Sequence, residues 1–258
     1  MTPPHTPAHA GIPGTLHRVS AMRDRQGGIA GLTYRVGRHV PGGPPPPAAD
    51  GCVAACAHSS SSCCCCSSIL QGGPGVGKTT LLRDVASLLS DTFSQKVVVV
   101  DTSNEVAGDG SEPHACIGSA RRMMVPSQQH SVMIETVQNH MPDVVIVDEI
   151  GTAREVEACR SIAHRGVVLV GTAHGRSLKA LMRNPDLNGL IGGIHQVTLG
   201  DEEARRSNHG KTRTERRGEP AFSTLVEVLS RSRWRVHMSV ARSVDDMLAG
   251  RWEDGEVG

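Results

Sequence analysis

The stretch Gly72-Gly73-Pro74-Gly75-Val76-Gly77-Lys78-Thr79 constrains the fold more than any other part of this 258-residue chain. Its spacing is G-x-x-x-x-G-K-[ST], which works only between a strand and a helix. The glycines let backbone N–H groups turn inward around an anion, and the helix that follows offers its positive end to the same charge. Read this way, residues Gly72, Gly73, Pro74, Gly75, Val76, Gly77, Lys78, Thr79 and Thr80 cradle a nucleotide. Lys78 reaches the β- and γ-phosphates, and the Thr79 hydroxyl is a ligand for Mg²⁺. Leu81, Leu82, Val85, Leu88 and Leu89 supply the apolar stripe of a helix from Lys78 onward. Only Ile69 and Leu70 remain for the strand before it.

Beyond that loop, short β-branched runs alternate with helical spacing. Val97–Val100, Val144–Val147 and Val167–Val170 are continuous apolar runs, as parallel strands buried on both faces require. Val132, Met133 and Val137 mark a second helix. Val156, Cys159, Ile162 and Ala163 mark a third, closed by Gly166. The alternation predicts an α/β fold with a parallel sheet and right-handed crossovers. Ligands in such sheets bind at the carboxyl ends of the strands. There the sequence places Asp148 and Glu149, Asp101-Thr102-Ser103-Asn104-Glu105, and Thr172-Ala173-His174. Asp148 is expected to hold Mg²⁺ through water and Glu149 to orient or deprotonate an attacking water. Glu105 is a second group able to polarise water. Thr172 and His174 are placed to sense a γ-phosphate by hydrogen bonding, or His174 simply bonds backbone in a loop.

Composition removes other classes. Lys+Arg total 27 and Asp+Glu 26, so neither a cationic coat nor an acidic tail is present. With two Phe, one Tyr and two Trp the core must be aliphatic, and a base-stacking platform is excluded. No run approaches 18 apolar residues, and no apolar segment follows Met1 as a secretory signal would. Cys63–Cys66 are consecutive and lack zinc spacing, while Cys116 and Cys159 stand alone as small core residues, which together suit a reducing compartment.

The chain divides by composition. Residues 1–15 read as a disordered leader or a trimmed transit peptide. Residues 16–40 hold an N-terminal β-hairpin, Leu16–Arg23 and Ile29–Val36, turning at Asp24–Gly28. Residues 41–68, with Pro, Ser and Cys runs, read as a low-complexity linker. Residues 69–200 form the nucleotide-binding core. Residues 201–258 form an extension: a hairpin of Phe222–Val228 and Trp234–Val240, then a short helix capped by Ser243 and ended by Gly250. Arg121 and Arg122 fall in a polar loop. They read equally as a finger reaching a neighbouring subunit's phosphate or as a solvated pair. Arg205, Arg206, Lys211, Arg213, Arg216 and Arg217 form a basic stretch better read as a solvated loop than as a nucleic-acid contact.

Several motifs then belong together: Gly73–Thr80, Val100–Glu105, Ala107–Gly110, Val147–Thr152, Gly171–Gly175, Leu190–Ile194, Val197–Ala204 and the leading Gly31–Arg38. With them the chain resembles the AAA-type ATPase family of cyanobacteria and plastids, first known as a hypothetical plastid open reading frame. That family is related to stage III sporulation protein AA. The resemblance implies a RecA/AAA-like P-loop NTPase core acting on ATP with Mg²⁺. It also implies kinship with ring-forming secretion ATPases and residence in a plastid, the alternative being cytoplasm. Many members carry a C-terminal domain for single-stranded nucleic acid that residues up to Gly258 do not include, so nucleic-acid binding is not carried over.

The reading reached is a Mg-dependent ATPase that couples hydrolysis to an unknown protein partner. ATP is preferred to GTP because no N-K-x-D element follows the core. The alternatives are a nucleotide-gated binding or assembly module with little turnover, and a small-molecule kinase, for which no Arg-rich lid is present. No arginine lies among the expected strand-end groups, so hydrolysis is expected to need self-association, in a ring.

Overall fold

The structure, a computed structural model, describes residues 9–39, 67–125, 128–198, 212–230 and 232–251. The expected linker lies outside them except for Ser67 and Ser68. So do Arg205, Arg206 and Lys211 of the basic stretch.

A central sheet of seven strands organises the molecule. In chain order they are β4 (Ser68–Gly72), β5 (Val97–Asp101), β6 (Arg121–Met124), β7 (Val144–Ile150), β8 (Val168–Ala173), β11 (Thr224–Ser230) and β12 (Arg233–His237). The spatial order is β12-β11-β4-β8-β7-β5-β6, and every neighbouring pair is parallel except β11 with β12. Because the strands are covered on both faces, their residues are buried at successive positions rather than at alternate ones. Val99, Ile146, Val170 and Val226 face helix α1 (Lys78–Ser87). Val100, Val145, Leu169 and Leu225 face α2 (Gln129–His140), α3 (Ala153–His164), α4 (Leu178–Arg183) and α5 (Val240–Leu248). Helix α3 starts in a full capping box: the Thr152 hydroxyl accepts from Glu155 N, and the Glu155 carboxylate accepts from Thr152 N. It stops before Gly166, whose φ is +79°. Cys159 on α3 and Cys116 are buried, and burial raises both thiols.

Several expectations are corrected. Strand β4 has five buried residues, not two: Ser68 precedes Ile69 and Leu70, and Gln71 and Gly72 continue them. The Ser67 hydroxyl accepts from Leu169 N, and its carbonyl accepts from Ser223 and Thr224 N. The C-terminal hairpin is not an extension. β11 inserts beside β4 in parallel register, Thr224 opposite Ser68 through Val228 opposite Gly72. Ser239, not Ser243, caps α5, so Val240 opens a helix instead of ending a strand. Part of the expected leader forms a strand. β1 (His9–Gly11) pairs with β2 (Arg18–Arg23), which pairs with β3 (Ile29–Arg35), making the expected hairpin a three-stranded sheet. A separate pair, β9 (Ile194–Thr198) with β10 (Thr212–Arg216), is antiparallel. Arg121 and Arg122 lie in β6, not in a loop.

Candidate nucleotide and hydrolysis site

Register brings the carboxyl ends of β5, β7, β8 and β4 to one edge of the sheet. Val100 lies opposite Val147, Val147 opposite Gly171, and Gln71 opposite Ala173. The phosphate loop leaves β4 there. Gly75 and Gly77 have φ of +74° and +106°, in the region L side chains avoid, and a Cβ at either would point into open space. The loop can therefore wrap an anion with backbone N–H groups. Gly77 caps α1 without a side chain, so the helix start stays open to a ligand. Lys78 Nζ donates to the carbonyls of Gly72 and Gly73, at 2.8 and 2.9 Å. Burial lowers the pKa of this amine, opposed by the charges of Glu149 and Asp148.

Asp148 is buried at the end of β7. Ser103 Oγ donates to its Oδ2 at 2.7 Å, and Gln129 Nε2 donates to its backbone carbonyl at 2.8 Å. Burial, with Asp101, Glu105 and Glu149 nearby, raises its carboxyl to about 6 against the pull of Ser103. In that surplus of negative charge the Asp148 carboxylate would suit a cation. Among the described residues no cluster of three or more His, Cys, Asp or Glu forms a metal cage. One carboxylate, one threonine hydroxyl and substrate phosphates are instead the oxygen donor set Mg²⁺ prefers, so Asp148 and Thr79 fit that ion.

The next residue, Glu149, has φ +58°. Its conformation is imposed by a register shift between β7 and β8, from Val147 to Ile150. At Gly171, opposite Val147, a Cβ would come within 2.9 Å of Ile150 Cδ1, so the two residues pack closely where the shift occurs. Thr172 Oγ1 accepts the Glu149 N–H at 2.9 Å, and the Glu149 carboxylate pairs with Nε2 of His174. Sequence spacing thus named a Thr-x-His box that the fold brings onto Glu149 from the neighbouring strand.

Glu105 sits differently. Asp101 is buried and accepts the N–H groups of Glu105, Val106 and Ala107, folding the chain back on itself. Arg83 of α1 holds the carbonyls of Glu105 and Val106 at 2.5 and 2.8 Å. The Glu105 carboxylate pairs with Arg35 of β3 at 2.6 Å. Arg122 is not a free finger: it donates to the carbonyls of Gly108, Gly110 and Ser111. Arg121 lies at the amino end of β6, opposite Val98, and donates to His140 O. Both corrections have one cause: this stretch completes the edge of the sheet. Ser103, Gln129, Arg83 and Arg35 were missed by motif reading. Ser103 and Arg35 had a signal, since they lie inside the Asp101–Glu105 and Gly31–Arg38 stretches.

Residues 46–206 match the family described as Sporulation stage III, protein AA. The chain belongs to that family. Within it, this member is 51% identical over 93% of its length to the uncharacterized protein ycf45 of Porphyra purpurea, and covers 41% of that protein. It is 49% identical over 96% of its length to SEEDLING PLASTID DEVELOPMENT 1 of Arabidopsis thaliana, and covers 35% of it. The chain therefore spans well under half the length of these two relatives. Among solved structures, the pilus retraction motor PilT with bound ADP aligns with a TM-score of 0.54 at 14% identity, over 94% of this chain and 69% of that one. Such a likeness shows the fold, an α/β arrangement with a mainly parallel sheet of the P-loop ATPase kind. Among the described residues of this stage III sporulation protein AA relative, no helix is long and apolar enough to cross a membrane.

Proposed function

We propose that this protein is an ATPase that hydrolyses ATP with Mg²⁺ and resides in a plastid, as its kinship to a plant plastid-development protein supports. The observation that carries the reading is the meeting, at one sheet edge, of an open phosphate loop with Glu149 held by Thr172 and His174. Lys78 exchanges loop carbonyls for phosphate oxygens, and the backbone N–H groups of Gly73 and of Gly75 to Thr79 surround the same charge. Mg²⁺, held by Thr79 and Asp148, would neutralise charge on the leaving and transferred phosphates. Glu149 takes one proton from a water that attacks the γ-phosphorus, the bond to the β-bridging oxygen breaks, and ADP and phosphate leave. Thr172 fixes the Glu149 backbone and His174 its carboxylate. Glu105, turned toward Arg35, is the second carboxylate at the edge.

None of the strand-end groups Asp101–Glu105, Asp148-Glu149 and Thr172–His174 is an arginine, which supports assembly into a ring in which a neighbour supplies one. Because His174 engages the Glu149 carboxylate, a nucleotide-gated module of low basal turnover is the second reading. Phosphate release measured against protein concentration, with and without Mg²⁺, tests both. Turnover that rises with concentration and vanishes in Glu149→Gln supports the ATPase. Tight nucleotide binding without phosphate release supports the gated module.

A further inference from the structure

Glu227 is the one acid of β11, and its side chain is only 2% exposed. A carboxylate so deeply buried persists where it is paired and hydrogen-bonded. Its Oε2 accepts from Arg235 Nη1 at 3.2 Å, and its Oε1 lies 3.5 Å from Nε2 of buried His237. Both partners come from β12, the outer strand of the sheet. The same Oε1 accepts the backbone N–H of Leu178 at 2.6 Å. Burial, the largest influence, raises the Glu227 carboxyl, but His237, Leu178 and Arg235 together outweigh it and leave it below its ordinary value.

Leu178 is the first residue of α4, close behind His174 in sequence. The chain between them is held at both ends. Gly175 O accepts the N–H of Gly72, where the phosphate loop begins, and Leu178 N is held by Glu227. Gln71, opposite Glu227 in the sheet register, stands directly beside Gly175: a Cβ there would meet its Nε2 at 2.7 Å. Yet the fully buried Gln71 amide has no hydrogen-bond partner among the described residues. The Gln71 amide therefore supplies no hydrogen bond to this loop. Fastening at its far end comes from Glu227.

We infer that Glu227 is a positioning residue for hydrolysis: by anchoring the start of α4 it sets where the 174–177 loop carries His174, and through His174 it sets the carboxylate of Glu149. The inference rests on the reading of Glu149 as the proton acceptor. It makes the β11–β12 edge, which carries none of the nucleotide motifs, part of the active centre.

The test uses the full chain. Glu227→Met/Arg235→Met removes both charges together, a replacement that buried ion pairs tolerate. Glu227→Gln retains a carbonyl oxygen for Leu178 N–H. Amide exchange of the 174–178 peptide is read beside kcat, with nucleotide affinity measured separately. The double variant should exchange about tenfold faster and lose about tenfold in kcat, with affinity within about twofold, while Glu227→Gln restores most of both. In a His174→Ala background the double variant should cost nothing further, since the effect runs through His174. Unchanged exchange at 174–178, or a kcat loss that multiplies with that of His174→Ala, overturns the inference. If the unaltered protein releases no phosphate from ATP, the hydrolytic reading fails, and exchange alone then decides whether Glu227 anchors the loop.

Discussion

Glu149 of β7 and His174, just past the end of β8, meet side chain to side chain, carboxylate against Nε2, while the Glu149 backbone N–H is bound to Thr172 Oγ1 of β8. One residue is thus gripped twice, by β8 and by the residue that follows it, in a left-handed conformation that costs a non-glycine residue roughly 1–2 kcal/mol. Glu149→Gln should keep nucleotide affinity and slow phosphate release by at least about 100-fold, because an amide cannot accept the proton. Glu149→Gly should also abolish turnover yet raise the thermal midpoint, by relieving the backbone. A Gly variant no more stable than the parent would contradict the strain.

Lys78 rests on the loop's own carbonyls, bonds it must trade for phosphate. Lys78→Ala removes a charge-assisted partner worth about 1.5–3 kcal/mol. Calorimetric titration with ATP should show affinity reduced by roughly ten- to a hundredfold, with the fold intact by circular dichroism. Undiminished binding would place the phosphates elsewhere.

Burial raises the Asp148 carboxyl from 3.8 to about 6. The native state then holds a proton that the unfolded chain has released, so this residue's contribution to stability is full below about pH 4 and is lost as pH rises through about 6. The whole effect is of order 3 kcal/mol. The metal-free protein should therefore fall in thermal midpoint between pH 4.5 and 7 relative to Asp148→Asn, whose profile lacks this component. Parallel profiles would show that Asp148 is ionised without penalty.

Arg35 ties the N-terminal sheet to the Glu105 loop through a pair whose side chains are 55% and 35% exposed. Solvent screens such a pair, so Arg35→Ala should change global stability by under about 1 kcal/mol. Cleavage of residues 9–39 by added protease should nevertheless quicken, because the loop contact is local. Protease resistance equal to the parent would mean that Thr15, Leu16 and the Gly108–Gly110 backbone contacts hold the sheet unaided.

Much of the site was legible because its chemistry is local. The glycines before Lys78 need particular backbone angles at fixed offsets, and Asp148-Glu149 and Thr172-x-His174 each follow a short, Val-rich run that suits a buried strand. The parallel core followed from the same runs. Ser239's role as helix cap was less legible, since Ser243 four residues on offers the same side chain and fits the same pattern.

What the chain's own order determined is which short segments are strands, helices and phosphate loop, because backbone sterics and apolar periodicity act between near neighbours. Tertiary structure alone decided which distant strands meet. It set β11 beside β4, turned Arg121 and Arg122 into an edge strand, placed Ser103 on Asp148 and Arg35 on Glu105, and buried Glu227 under α4. No local pattern distinguishes these partners, since any apolar strand can pair with any other. The choice is made by the joint demand that both sheet faces be covered and that buried acids such as Asp101, Asp148 and Glu227 find donors, a condition only the assembled fold can meet.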